Sequence, residues 1–290
     1  MFVITGVTGN TGSVVADTLL SRGAPVRVVV RESAKGEAWK ARGAEVAVAT
    51  LEDTAALTKA LHGARGAYLL VPPRYGAATP LEDNRRVIAS LAAATRDAKV
   101  PHVVLLSSIG AQHPSGTGPI QSLYEAEQAL APITALTAVR AAYFMENWAG
   151  SLGALSQGVL PTFVPKDQAY PMVATRDIGQ TAATALLEGP RGLDVIDLAG
   201  PREYSASDVA AALAKLTGKP VAPTEAPLDA VVPTLTSFGM SSASAELFRE
   251  MYAGISSGRV AEDRGRARAV RGVVPVEEVL RRLLDGSASA

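Results

Sequence analysis

The chain has 290 residues, which suits one large α/β domain or a large domain with a small cap. With 48% hydrophobic and 19% charged residues, a disordered chain is excluded. The 28 basic and 28 acidic side chains cancel, so nothing draws the whole protein to nucleic acid or an anionic membrane, and the absence of cysteine excludes disulfides, thiolate nucleophiles and thiolate metal sites.

Phe2 to Thr5 is a short apolar run that ends in glycine, the signature of a buried strand. A helix is expected over Asn10 to Ser21, where Val14, Val15, Thr18 and Leu19 fall at helical spacing and Gly23 and Pro25 stop it. Val26 to Val30 reads as a second strand, Ala34 to Arg42 as a helix, and Glu45 to Ala49 as a third strand. Then come a helix over Thr54 to Leu61, a strand over Ala67 to Val71, and a long helix over Pro80 to Ala98 with proline in its first turn. Val103 to Leu106, ending at Ser107-Ser108, is a strand, Leu123 to Leu130 a helix, and Thr134 to Val139 another strand.

Most of these strands are continuous apolar runs, as a parallel sheet covered on both faces requires. The expected fold is a Rossmann-type doubly wound α/β sheet over residues 1–150. Residues 151–290 are expected to form a smaller, mostly helical portion that lines a substrate site, interwoven with the first. In the later part, helices are expected over 143–157, 176–188, 205–217, 226–238, 243–254 and 275–285. Leu193 to Leu198 reads as one further strand there, and Pro220 to Pro233 as a connecting loop.

Gly6-Val7-Thr8-Gly9-Asn10-Thr11-Gly12 lies between the first strand and the first helix. Gly6 allows the sharp turn, Gly9 lets the backbone approach a pyrophosphate, and Gly12 lets the helix pack on the sheet. The helix N-terminus offers N–H groups to phosphate, and Thr8, Asn10 and Thr11 add side-chain donors. In this strand–turn–helix setting the loop points to a dinucleotide. Arg31, first after the second strand, pairs with a 2′-phosphate and favours NADP(H) over NAD(H), although Glu32 follows it. Asp53 either meets the adenine end or caps the next helix, and Val71-Pro72 passes the ribose and pyrophosphate.

With these residues in hand, the chain resembles the NmrA-like branch of the atypical short-chain dehydrogenases/reductases, and within it the bacterial NADPH:quinone oxidoreductases. The likeness runs through GVTGNTG, VVVRES, Gly43-Ala44-Glu45-Val46 leading to Glu52-Asp53, LLSSIGA at 105–111, Arg140 to Asn147, and Ala174 to Ile178. The resemblance implies a nicotinamide-dependent oxidoreductase acting on a quinone or another small electron-poor carbonyl compound. The alternative it leaves open is a non-catalytic NADP(H) sensor acting through a protein partner. It puts Ser107 or Ser108 at the substrate carbonyl and Tyr124 near the superfamily's Tyr-x-x-x-Lys, with Gln128 where the lysine would stand. A tyrosine without that cation is a poor base at neutral pH.

Asn147, beyond the strand that ends at Val139, is a candidate polar anchor for substrate. Phe144 and Trp148, four apart, are expected to be core residues, and Asp177 a helix cap. The three histidines form no metal spacing, and no G-x-S-x-G elbow is present. The basic stretch Arg259 to Arg271 reads as a solvated loop. No signal peptide is expected, because no basic segment precedes a long apolar run. A cytoplasmic monomer or homodimer acting on a small molecule is the default expectation, with no metal, nucleic-acid or membrane partner.

Overall fold

The computed structural model describes residues 1–286. The last four residues of the expected 151–290 portion therefore lie outside the described residues.

In chain order the first half comprises β1 (Phe2–Ile4), α1 (Asn10–Ser21), β2 (Val26–Val30), α2 (Glu37–Ala41), β3 (Glu45–Val48), α3 (Thr54–Leu61), β4 (Gly66–Leu69), α4 (Pro80–Asp97), β5 (His102–Ser108), α5 (Gln121–Leu130) and β6 (Ala135–Ala141). The second half comprises β7 (Tyr143–Phe144), β8 (Val159–Thr162), β9 (Tyr170–Val173), α6 (Thr175–Glu188), β10 (Leu193–Ala199), β11 (Glu203–Tyr204), α7 (Ala206–Thr217), β12 (Ala222–Glu225), α8 (Val231–Ser237), α9 (Ser242–Ser256), β13 (Arg268–Arg271) and α10 (Val276–Leu284).

The main sheet has eight strands in the order β13-β10-β6-β5-β4-β1-β2-β3, and every pairing in it is parallel. Successive strand residues serve opposite faces. Phe2, Ile4, Tyr68 and Val104 join one core with α1 and α6, whereas Val3, Ala67, Leu69, Val103 and Leu105 join another with α3, α4 and α5. Apolar side chains on both faces are why these strands read as unbroken runs rather than as alternation. The fold is thus the doubly wound α/β sheet expected, with a smaller, largely helical C-terminal region.

Helix contacts on the first face are close because they are built on glycine. A Cβ at Gly179 of α6 would lie 2.5 Å from the Val14 Cβ of α1. α7 begins with a reciprocal capping box, Ser205 and Asp208, and ends at Gly218 in the left-handed region.

The second half departs from the expected pattern in several places. The segment expected as a helix over 143–157 is the short strand β7 followed by a 3₁₀ helix, Met145–Gln157. The expected loop from Pro220 contains β12, which pairs with β8. β9 lies between β7 and β11 in a separate three-stranded sheet. The basic stretch is not simply solvated loop: Arg268–Arg271 is the edge strand β13, with Arg268 paired to Asp194 and Arg271 to Glu262. β10 and β13 both return the later chain to the main sheet, so the two portions interweave.

His102, buried at the start of β5, bonds Thr137 Oγ1 through Nε2 at 3.0 Å, while its Nδ1 has no partner. Burial pushes its pKa down, and the nearby Asp194 charge only partly opposes this. The folded protein therefore resists a proton that the unfolded chain accepts near pH 6.5. The stability this contributes is present above about pH 6.5 and is lost as pH falls through the lowered folded value. Denaturant midpoints measured from pH 7.5 to pH 5 are expected to fall less steeply in His102→Gln than in the parent.

Candidate dinucleotide and substrate site

Because the main sheet is parallel, all its strand exits lie along one edge. From β1 the chain steps outward to β2 and β3. From β4 it steps the other way, to β5, β6, β10 and β13. The reversal falls between β1 and β4, and a crevice at such a switch point is where open α/β sheets bind ligands. Residues 6–12 leave β1 at that point.

The three glycines of the loop have different reasons. Gly6 has φ +66°, and a Cβ there would lie 2.4 Å from the Leu70 side chain. At Gly12 a Cβ would lie 2.4 Å from the Gly6 carbonyl oxygen and 2.7 Å from that of Thr5, so α1 could not sit so near the β1 exit. Gly9 has no such neighbour: its nearest would be the Gly6 oxygen at 3.4 Å, and its φ of −109° suits any residue. Thr8, Gly9 and Asn10 are exposed. A glycine that neither packing nor conformation demands makes sense where something outside the chain approaches the backbone.

Gly9 is also the N-cap of α1, and no side chain caps that first turn. By contrast α3, α7 and α9 are capped by Asp53, Ser205 and Ser241. The uncapped turn leaves amide donors and the positive end of the helix dipole facing the crevice.

Thr11 turns inward. Its hydroxyl oxygen accepts from the buried Tyr68 hydroxyl at 2.9 Å, and the Tyr68 carbonyl accepts from Thr5 Oγ1 at 3.0 Å. Burial pushes the Tyr68 phenol pKa far up, so it stays a neutral donor that pins the loop from below. Sequence reasoning missed Tyr68, although a tyrosine within an apolar strand must find a hydroxyl partner when buried.

Arg31 and Glu32 are exposed just past β2, and Val71 and Pro72 are half-buried past β4. Asp53 Oδ1 accepts from the Ala56 amide at 3.0 Å, so this carboxylate caps α3. Next to it, Glu52 pairs with Arg74.

At the β5 and β6 exits lies a buried polar network. Ser107 Oγ donates to Glu127 Oε1 at 2.5 Å. Arg140 grips the same carboxylate with two bonds, Nε to Oε1 at 2.9 Å and Nη2 to Oε2 at 2.7 Å, and reaches Asp263 at 3.3 Å. The Asp263 amide in turn donates to Asp197 Oδ2. Ser107 is thus engaged inside the protein, Tyr124 is half-buried on α5, and Gln128 is exposed. The sequence offers only a faint signal for Glu127, an acidic residue within an otherwise solvated helix pattern.

Beyond β6, Asn147 is exposed, and its side chain and the Tyr252 hydroxyl both lie near the Tyr143 hydroxyl. The Tyr143 ring meets Tyr170 edge-on at 5.6 Å and Trp148 at 6.4 Å, and Phe163 lies 5.3 Å from Tyr252. Trp148 is buried in the core and Phe144 packs against it, in line with the core reading. Burial pushes the Tyr143 phenol well above its usual range, keeping it protonated at neutral pH.

Asp177 is not the cap of its helix. It is buried and accepts from the Val274 amide at 3.0 Å, and a Cβ at Gly272 would collide with it. The α6 cap is Glu146, which accepts from the Thr175 amide at 2.9 and 3.1 Å and from its hydroxyl at 2.6 Å.

A profile of the NmrA-like family matches residues 1–254. The chain belongs to the NmrA-like family. It is 28% identical over 257 residues to an NAD(P)H azoreductase of Xenophilus azovorans, covering 87% of this chain and 86% of that protein. It is 31% identical over 236 residues to a (4-alkanoyl-5-oxo-2,5-dihydrofuran-3-yl)methyl phosphate reductase of Streptomyces griseus, covering 79% and 78%. Among solved structures it is similar to an NADPH-dependent quinone oxidoreductase of Escherichia coli in complex with NADPH, at 27% identity and a TM-score of 0.81 over 98% of this chain and all of that one.

Within this NmrA-like chain, the residue four positions after Tyr124 is glutamine rather than lysine. Position 128 faces solvent as glutamine, and the buried charge on α5 is the neighbouring Glu127, neutralised by Arg140. Among the described residues no group of three or more His, Asp or Glu side chains is arranged to hold a metal ion, and no helix is long and apolar enough to cross a membrane.

Proposed function

We propose that this protein is an NADP(H)-dependent reductase that transfers hydride to a quinone or another small electron-poor carbonyl compound. The observation that carries the reading is Gly9, open and without an internal reason, at the uncapped head of α1 on the switch point of the sheet. Support also comes from the NADPH-bound relative and from the reductases whose sequences align over most of the chain.

In this reading the backbone amides of residues 10–12 hold the diphosphate, with Thr8 and Asn10 adding donors from the exposed rim. Arg31 meets the 2′-phosphate, Val71 and Pro72 line the ribose, and Asp53 fixes the start of α3 beside the adenine. When bound, the reduced nicotinamide supplies the hydride. Asn147 anchors the acceptor's oxygen, and the Tyr143–Tyr252 pair gives that oxygen protonated donors as negative charge arrives. Tyr124 contributes as a hydrogen-bond donor, not a base, and Ser107 acts through Glu127 to hold the β5 exit. Residues 1–150 serve the cofactor, and the later portion supplies the aromatic wall.

A quinone panel assayed with NADPH, followed by nucleotide absorbance, tests this directly. Saturable turnover with at least one quinone is expected. Asn147→Ala is expected to lower kcat/KM about tenfold or more, as loss of a hydrogen bond to a charged oxygen predicts. Tight nucleotide binding with no turnover on any acceptor would favour the sensing role instead.

A further inference from the structure

Arg74 and Glu52 come from distant strand exits. Arg74 follows β4 and Glu52 follows β3, and the sheet order β4-β1-β2-β3 puts two strands between them. At the usual strand spacing this separation is roughly 14 Å. Their ion pair therefore reaches across the exits of β1 and β2, over the edge on which the adenosine half of a dinucleotide would lie.

Arg31, at the β2 exit, stands on that same stretch and acts on the Glu52 carboxyl. The Arg74 hydrogen bond is the main influence holding Glu52 below the usual carboxylate range; burial opposes it, and Arg31 adds to the lowering. Arg74 Nε is itself buried with no hydrogen-bond partner, so the guanidinium's outward contact is the one to Glu52. Its backbone is fixed in place: the Arg74 carbonyl accepts from Ser244 Oγ at 2.9 Å, and the Tyr75 carbonyl from the Ser241 amide at 2.9 Å. The loop is thus tied to the start of α9.

We propose that Arg74, together with Arg31, selects the nucleotide that carries a 2′-phosphate, and that Glu52 is the resident anion with which this phosphate competes. The proposal rests on the cofactor reading above. Arg74 and Arg31 are the cations on this stretch, beside the carboxylate of Glu52 and the exposed Glu32. A dianionic 2′-phosphate replaces Glu52 as the partner of Arg74, whereas the neutral 2′-hydroxyl of NADH does not.

The test is titration of NADPH, NADH and adenosine 2′,5′-bisphosphate into the whole protein, followed by intrinsic fluorescence. Arg74→Gln is expected to weaken NADPH and the bisphosphate at least about tenfold, as for a lost charge-assisted hydrogen bond, and to change NADH less than about threefold. Glu52→Gln is expected to tighten NADPH severalfold and leave NADH unchanged. Thermal midpoints of both variants close to the parent's exclude misfolding as the cause. Equal weakening of NADPH and NADH by Arg74→Gln, or no weakening of either, overturns the assignment to Arg74. If the parent binds neither nucleotide, the cofactor reading itself falls and this inference with it.

Discussion

Replacing Gly9 with aspartate is expected to leave the fold at least as stable as the parent and to abolish nucleotide binding. Position 9 is the N-cap of α1, with extended backbone, no side-chain cap and exposure to solvent. Aspartate is among the best N-cap residues, so α1 loses nothing and its orphan amides gain a partner. That same carboxylate would then stand where the diphosphate must come, occupying its donors and repelling its charge. A loss of affinity of at least about a hundredfold is expected, the combined effect of displaced charge-assisted hydrogen bonds and like-charge repulsion.

Gly12→Ala, unlike the Gly9 variant, is expected to cost stability. Its methyl would lie 2.4 Å from a backbone oxygen rather than from a flexible side chain, so α1 must move off the β1 exit. A loss of about 1–3 kcal/mol of stability is expected from overpacking, against which the better helix propensity of alanine offsets up to about 1 kcal/mol. Denaturant unfolding of the two variants separates the glycine whose substitution the fold tolerates from the one that the fold requires.

The second large effect is expected at Glu127. Truncation to alanine leaves the buried Arg140 guanidinium without its bidentate partner and the Ser107 hydroxyl without its acceptor. Breaking a buried pair from one side typically costs about 3–5 kcal/mol. The remaining contact, Arg140 to Asp263 at 3.3 Å, is single and longer, so it offsets little of this. Removing both charges with Glu127→Leu and Arg140→Met is expected to recover most of the loss, since apolar replacements of similar volume are often neutral. Urea unfolding of the two singles and the double gives the coupling. Additive losses would mean that the pair does not hold β5, α5 and β6 together as described.

Much of the first half was legible because its signals are local. Strand residues such as Phe2, Val3 and Ile4 are apolar on both faces, and the glycine loop declares its turn, its close helix packing and its open rim at fixed spacing. Apart from the seven-residue β10, the second half hid its strands because they have only two to four residues and owe their form to partners far away in sequence. β12, Ala222–Glu225, has little apolar content and is a strand only because β8 lies beside it.

Side-chain roles failed for a related reason. Asp177 looked like a cap because it sits in a first turn, but its partner is Val274, almost a hundred residues later, while Glu146 supplies the cap from an earlier segment. Glu127 and Arg140 carry no local sign that they will be buried against one another. Tyr124 and Gln128 were found by likeness to a motif, and the nearby charge that the fold uses is one residue away from that motif.

The claim on which the account turns is that the amides at the head of α1 hold a pyridine dinucleotide. Titration of isotope-labelled protein with NADPH, followed by amide nuclear magnetic resonance, tests it most directly. Saturable shifts centred on Gly9, Asn10, Thr11 and Gly12, with Arg31 next and weaker saturation by NADH, are predicted. No saturable response, or shifts that leave those four amides untouched, would contradict it.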